Sequence, residues 1–201
     1  MDRGVTVTSS TIQRCQLRPG DHIYSWRRRR GYAHHGIYES DQKVIQYCSA
    51  LDDTPLIGSS SFRTRPCPEC AEAEREGGVV ISCLDCFLEG GAICLFAYSV
   101  PRWFYTASNI GPQLTCHVAP EDPPEEVLRR ANNLWFFGAS NGFGKYDYNA
   151  LTNNCVDFAF YCKTECRLGT YVVAHAAVKN VTKSLSPLWR GFFGGFSTGF
   201  S

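Results

Sequence analysis

Cys155 is the residue on which this chain's chemistry can be built. It follows a turn-prone run, Asn149 to Asn154, and opens the segment VDFAFYCKTE. Phe158, Ala159 and Cys162 follow it at i+3, i+4 and i+7, the spacing of one helix face. Thr152, Asn153 and Asn154 are N-cap candidates just before it. The pattern predicts a helix beginning at Cys155, where the partial positive charge of the helix start favours a thiolate and hence a nucleophile. The competing reading is a small buried hydrophobe, the common state of a free cysteine.

A thiol nucleophile needs a base within hydrogen-bond reach, and the base needs a group to orient it. His34 and Gln46 are the candidates. Tyr32 to Tyr38 and Lys43 to Cys48 read as two strands of a hairpin joined at Ser40 to Gln42. With that loop, Gly36 faces Gln46 and His34 faces Cys48. Side chains alternate along a strand, so His34 and Gln46 share a face and lie diagonally adjacent. A slip of one residue would separate them. His35 is the alternative base, and His22 competes with both. Gln46 can accept from an imidazole N–H but cannot neutralise an imidazolium as a carboxylate would.

A second group is Cys67-x2-Cys70 with Cys83-x2-Cys86, twelve residues between the pairs. Two such pairs match a tetrahedral four-thiolate zinc site, which leaves no open position for substrate and is therefore structural. Pro66, Pro68 and nearby glycines suit the turns, with Ala71 to Gly78 as an exposed connector. Four unrelated reduced thiols, or two redox pairs, are the alternatives. No organic cofactor motif is present.

The elements that must position these residues follow from the pattern. His22 to Trp26 alternates as a strand before the hairpin, and Ala92 to Val100 is an apolar strand candidate. Trp103 to Gly111 is ambiguous, and Leu114 to Val118 is a short strand candidate. Asp122-Pro123-Pro124-Glu125-Glu126 is a helix start, with Val127, Leu128, Ala131, Leu134 and Trp135 as the apolar face. From Ser184 the tail carries Leu188, Trp189, Phe192, Phe193, Phe196 and Phe200 among glycines and serines. It is read either as a segment docked on the core or as an interfacial membrane contact.

The 201 residues carry a formal charge of +1, which argues against nucleic acid as a partner. The Arg27 to Arg30 run is a loop, or a contact for anionic headgroups. Eleven cysteines, an odd number, without an apolar stretch in MDRGVTVTSS, point to reduced thiols and no secretory signal. The expected location is intracellular and cytoplasmic, with membrane association through the tail. No apolar run is long enough for a spanning helix.

Three blocks in order, LRPGDHIY (17–24), HHGIY (34–38) and NCVDF (154–158), resemble the lecithin:retinol acyltransferase (LRAT) domain family. The phrases SCLDCFLEGG and DPPEEVLRRA resemble its plant branch. The resemblance implies an α+β, permuted papain-like fold of the LRAT/NlpC type, an antiparallel sheet packed on helices. A Cys-rich zinc-knuckle insert would span 62–91, within a domain of 16–183 followed by the tail 184–201. It implies Cys155 as nucleophile, His34 as base and, at the position of the family's second His, Gln46. The implied activity is transfer of a phospholipid acyl chain through a Cys thioester to an unnamed acceptor, or to water as a phospholipase A. The implied partner is a phospholipid membrane surface. Gln46 keeps open a non-catalytic adaptor, with the insert as a protein-binding surface. A papain-like peptidase or amidase is also open, because fold does not fix function.

Overall fold

A computed structural model describes residues 11–27, 31–50, 67–109, 114–137 and 141–169. Residues 28–30 of the arginine run, the start of the Cys-rich segment, residues 138–140 and the whole aromatic tail are among those outside them. The chain divides into two compact units, Met1–Glu165 and Cys166–Ser201.

The fold is α+β, built on a five-stranded antiparallel sheet. After a 3-10 turn at Arg14–Gln16 come β1 (His22–Arg27), β2 (Tyr32–Ser40) and β3 (Lys43–Cys48). The Cys-rich segment contributes α1 (Pro68–Glu76), β4 (Gly78–Ser82) and α2 (Leu84–Leu88). Then follow β5 (Cys94–Leu95), α3 (Arg102–Ser108), α4 (Pro124–Phe137) and α5 (Cys155–Thr164). The strand order is β4-β3-β2-β1-β5.

The hairpin register is as the alternation requires, with Gly36 opposite Gln46 and Tyr38 opposite Val44. Its turn is tighter than Ser40 to Gln42. Ser40 pairs with Lys43, and a bulge between Tyr38 and Ser40 absorbs the extra residue. Ala92 to Val100 forms only the two-residue β5 and a parallel bridge from Ala97 to Cys116, the one paired residue of Leu114 to Val118. Trp103 to Ser108 is helical.

The insert departs most from the sequence reading. Its middle is not a loop: α1 spans most of Ala71 to Gly78, with Glu72, Arg75 and Glu76 exposed as expected, and the β-branched run GVVIS becomes the edge strand pairing with β3. The segment is part of the sheet, because its apolar residues gain more by completing the sheet than by looping into water.

The two sheet faces carry different layers. Ile37, Ile45 and Tyr47 pack under Phe158, Ala159 and Cys162 of α5 and Val127, Ala131 and Leu134 of α4. The predicted faces of both helices are therefore the buried ones, although Trp135 remains 46% exposed. Phe158 is fully buried against Tyr47 and Phe143, and truncating it to Ala would cost about 3–5 kcal/mol. Buried Arg130 ties α4 to the end of α5, donating to the Cys162 carbonyl at 2.5 Å and pairing with Asp122. On the other face, Ile23, Tyr38 and Val44 pack under Leu84 and Phe87 of α2. Gly36 fits closely there: a Cβ would sit 3.0 Å from the Phe87 ring and 3.1 Å from the Ile45 carbonyl oxygen, so a larger residue would need these neighbours to shift by a few tenths of an ångström.

Candidate functional site

Cys155 is the first residue of α5. Asn154 caps the helix, its side chain accepting from the Val156 N–H at 2.8 Å, while Asp157 accepts from the Asn154 N–H at 3.0 Å. This reciprocal cap fixes the helix start and gives Asp157 its role. The thiol is buried and donates to the Ala33 carbonyl oxygen at 3.9 Å.

That contact depends on where the pairing of β2 with β3 ends. The Tyr38 N–H donates to Asp21 O and the Gly20 N–H to Tyr38 O, so the even-numbered backbone groups of β2 turn toward β1. The backbone groups of Ala33 and His35 therefore turn toward β3. Pairing with β3 starts only at Gly36 and Gln46, which leaves that edge open to the sulfur. Burial pushes the Cys155 thiol up to about 11, and the nearby Asp157 charge adds to this. The N–H groups of His35, Cys155 and Val156 act in the opposite direction. The helix start does favour the thiolate, but burial outweighs it.

His34 and Gln46 come together as the register requires, with His34 Nε2 2.5 Å from Gln46 Oε1. They lie on the face covered by α2, where the His34 ring sits 5.4 Å from that of Phe87. The Gln46 amide group donates to Glu74 Oε1 at 3.0 Å and Ser82 Oγ at 2.9 Å. Cys48 Sγ lies 4.0 Å from His34 Nε2. Tyr148 interacts with Cys155, Tyr32 and Cys48, and its hydroxyl is raised by burial and by these neighbours. Cys155, on the α5 side, and His34, on the α2 side, thus both lie at the stretch of β2 just beyond its last pair with β3, Gly36 with Gln46.

The alternative base, His35, lies on the opposite face from His34. Its Nδ1 is 2.9 Å from His22 Nε2, and His22 Nδ1 is 2.9 Å from the Tyr98 hydroxyl. His35 Nε2 is buried without a hydrogen-bond partner among the described residues. Burial, with the charge of His34, pushes His35 down to about 3. Burial, with His35 and Lys163, lowers His22 as well. Both rings are poor proton acceptors.

Cys67, Cys70, Cys83 and Cys86 place their sulfur atoms within 4.8 Å of one another. The Cys67 and Cys83 sulfurs are 3.7 Å apart, close to the roughly 3.8 Å edge of a tetrahedron with zinc–thiolate bonds. The Cys83 N–H donates to Cys70 Sγ at 3.4 Å. The hydrogen bond to Cys83 raises Cys67, and burial raises Cys86. The four can hold one metal ion. A groove of about 650 Å³ runs past them toward Trp135, and neither Cys155 nor His34 lines it.

Sequence reasoning missed Tyr148, Glu74 and Ser82. Tyr148 stands seven residues before Cys155 with no local pattern to mark it. Glu74 and Ser82 could be found only by recognising that the insert pairs with β3, for which GVVIS was the available signal.

The family model described as lecithin retinol acyltransferase matches residues 15–167. The chain is 44% identical over 165 residues to the Arabidopsis thaliana protein LEAD-SENSITIVE 1, covering 78% of this chain. It spans 61% of that relative's length. No solved structure matches. Among the described residues, no helix is long and apolar enough to cross a membrane.

Proposed function

The chain belongs to the lecithin retinol acyltransferase family, and from that premise we propose that it moves phospholipid acyl chains through a thioester on Cys155. The observation that carries the proposal is the placement of Cys155. Its sulfur sits at a capped helix start, against three backbone N–H groups, beside the strand that carries an oriented histidine.

The resting group is a thiol, so a base is needed. Gln46 presents its carbonyl oxygen to His34, so Nε2 carries the ring proton and Nδ1 is the acceptor nitrogen. The Cys155 proton passes to Nδ1 as sulfur attacks the ester carbonyl carbon. The tetrahedral intermediate collapses, the ester C–O bond breaks, and the lysophospholipid oxygen takes the proton from His34. An acceptor hydroxyl, amine or water then attacks the thioester and gives its proton to His34. The Cys155 thiolate leaves and recovers that proton. Helix-start N–H groups beside the sulfur are suited to the charge that develops on the substrate oxygen.

The donor resides in a bilayer, so the protein works at a phospholipid surface. Residues 184–201 supply the contact, and their removal should lower vesicle binding in a flotation assay. The four cysteines hold a structural zinc ion, as an all-thiolate set favours.

The test is intact mass after incubation of the reduced, zinc-loaded protein with phosphatidylcholine vesicles. Wild type should gain one acyl mass on Cys155, and Cys155→Ala should gain none. The second reading, a non-catalytic adaptor, is favoured by Gln46 at the position of the family's second histidine. It prevails if wild type forms no adduct while Gln46→His does.

A further inference from the structure

The hydrogen bonds around Gln46 lead back to the four cysteines. Glu74 stands four residues after Cys70 on α1, so the two share one helix face a turn apart. Ser82 is the residue before Cys83, and Phe87 is the residue after Cys86. These three side chains hold the Gln46 amide and the His34 ring. Each is therefore tied to a cysteine of the cluster through four or fewer residues of backbone.

We infer that Glu74 is a positioning residue for His34, acting through Gln46, and that metal held by Cys67, Cys70, Cys83 and Cys86 keeps it in place. This rests on the acyl-transfer reading for its consequence in rate, but not for its geometry. A primary amide can present either its oxygen or its nitrogen to a neighbour, and the two ends differ little in shape. The Ser82 hydroxyl does not choose between them, because it can donate or accept. Glu74 does choose, because a carboxylate only accepts. With the Gln46 nitrogen drawn to Glu74, the Gln46 oxygen must face His34. The ring proton is then fixed on Nε2, and the acceptor lone pair on Nδ1. If Glu74 moved away, the amide could rotate, donate to Nε2 and leave the proton on Nδ1, which could no longer serve as base. The metal site thereby affects the base without touching substrate.

The experiment reads the His34 tautomer directly, from imidazole nitrogen chemical shifts in the full-length zinc-loaded protein. Wild type should show a protonated Nε2. Glu74→Gln, whose side-chain oxygen still accepts, should keep that state and acylate Cys155 within about twofold of wild type. Glu74→Lys offers only donors, so it should turn Gln46 over and move the proton to Nδ1. Its thioester formation should fall at least about tenfold, as a lost base predicts. Stripping zinc with a chelator should shift wild type in the same direction. If stripping unfolds the insert, the zinc-loaded Glu74→Lys protein still decides the matter. An unchanged His34 tautomer in Glu74→Lys overturns the inference even if wild type acylates Cys155. A tautomer that inverts in a protein that never acylates supports the inference and instead removes the acyl-transfer reading.

Discussion

The sulfur of Cys155 meets β2 at the carbonyl oxygen of Ala33, the residue before His34, at 3.9 Å. It can do so because the pairing of β2 with β3 ends at Gly36 and Gln46, while β3 itself runs on to Cys48 against β4. The backbone of Ala33 therefore meets α5 rather than a ladder partner on that side.

Substitutions should separate the roles around that contact. Cys155→Ser and Cys155→Ala should abolish thioester formation, and His34→Ala should slow it about 100-fold or more. Gln46→His should keep or raise the rate, by giving the imidazolium a better partner. Gln46→Leu should lower it, since the ring loses its orienting acceptor. His35→Ala should have a smaller effect on rate. It should still cost about 1–3 kcal/mol of stability, because His22 Nε2 loses its buried partner. Intact mass time courses and urea denaturation measure the two effects. Equal loss of rate in His34→Ala and His35→Ala would sink the assignment.

The thiol should respond to pH in a defined direction. Burial places Cys155 near 11, above the ordinary 9.0, so the protonated form dominates at neutral pH. In His34→Ala, alkylation of Cys155 should keep rising beyond pH 9 and level off only toward about 11, as the thiolate fraction grows. Peptide mass mapping reads the rate at this one cysteine. A plateau at or below pH 9 would show that the helix start outweighs burial after all.

Acid should destabilise the protein through the His22–His35 pair. Both have lowered pKa values in the fold, His35 from 6.5 to about 3. Above pH 6.5 both rings are neutral, folded or unfolded, and their contribution is complete. Between about 6.5 and 3 the unfolded chain binds protons that the folded chain refuses, so stability falls as pH falls. The Tyr98 hydroxyl bonds His22, and the Lys163 ammonium and, across the sheet, the charge of His34 add to the effect. His35→Phe, which preserves ring packing beside Tyr24 and Phe96, should flatten the acid limb of a plot of melting temperature against pH. Parallel acid limbs in the two proteins would count against this account.

Purified under reducing conditions without chelator, the protein should carry about one zinc ion per chain. Metal analysis that finds none removes the proposal. Cys70→Ser should loosen α1 and β4 before it loosens β1 and β2, because β4 is the edge strand on the far side of β3. Hydrogen exchange resolved along the chain would show amide protection falling first at Gly78–Ser82.

The sequence by itself determined what depends on local spacing. Asn154 followed by Cys155 and an i+3, i+4, i+7 apolar face specifies a capped helix with the cysteine at its first turn. Alternation and a short turn bring His34 beside Gln46, because register in a hairpin is set by the turn and by which face is buried. The four cysteines announce themselves by their pairing. Tertiary structure decided the rest. That β4 joins β3, and so carries Ser82 to Gln46 while α1 brings Glu74 there, depends on contacts between segments some thirty residues apart. That β2–β3 pairing ends at Gly36 and Gln46 and leaves the Ala33 carbonyl to a helix more than a hundred residues away is likewise invisible in any local window. The protonation of Cys155 is decided the same way. Helix position sets only the attraction for charge, whereas burial, which prevails here, is a property of the packed whole.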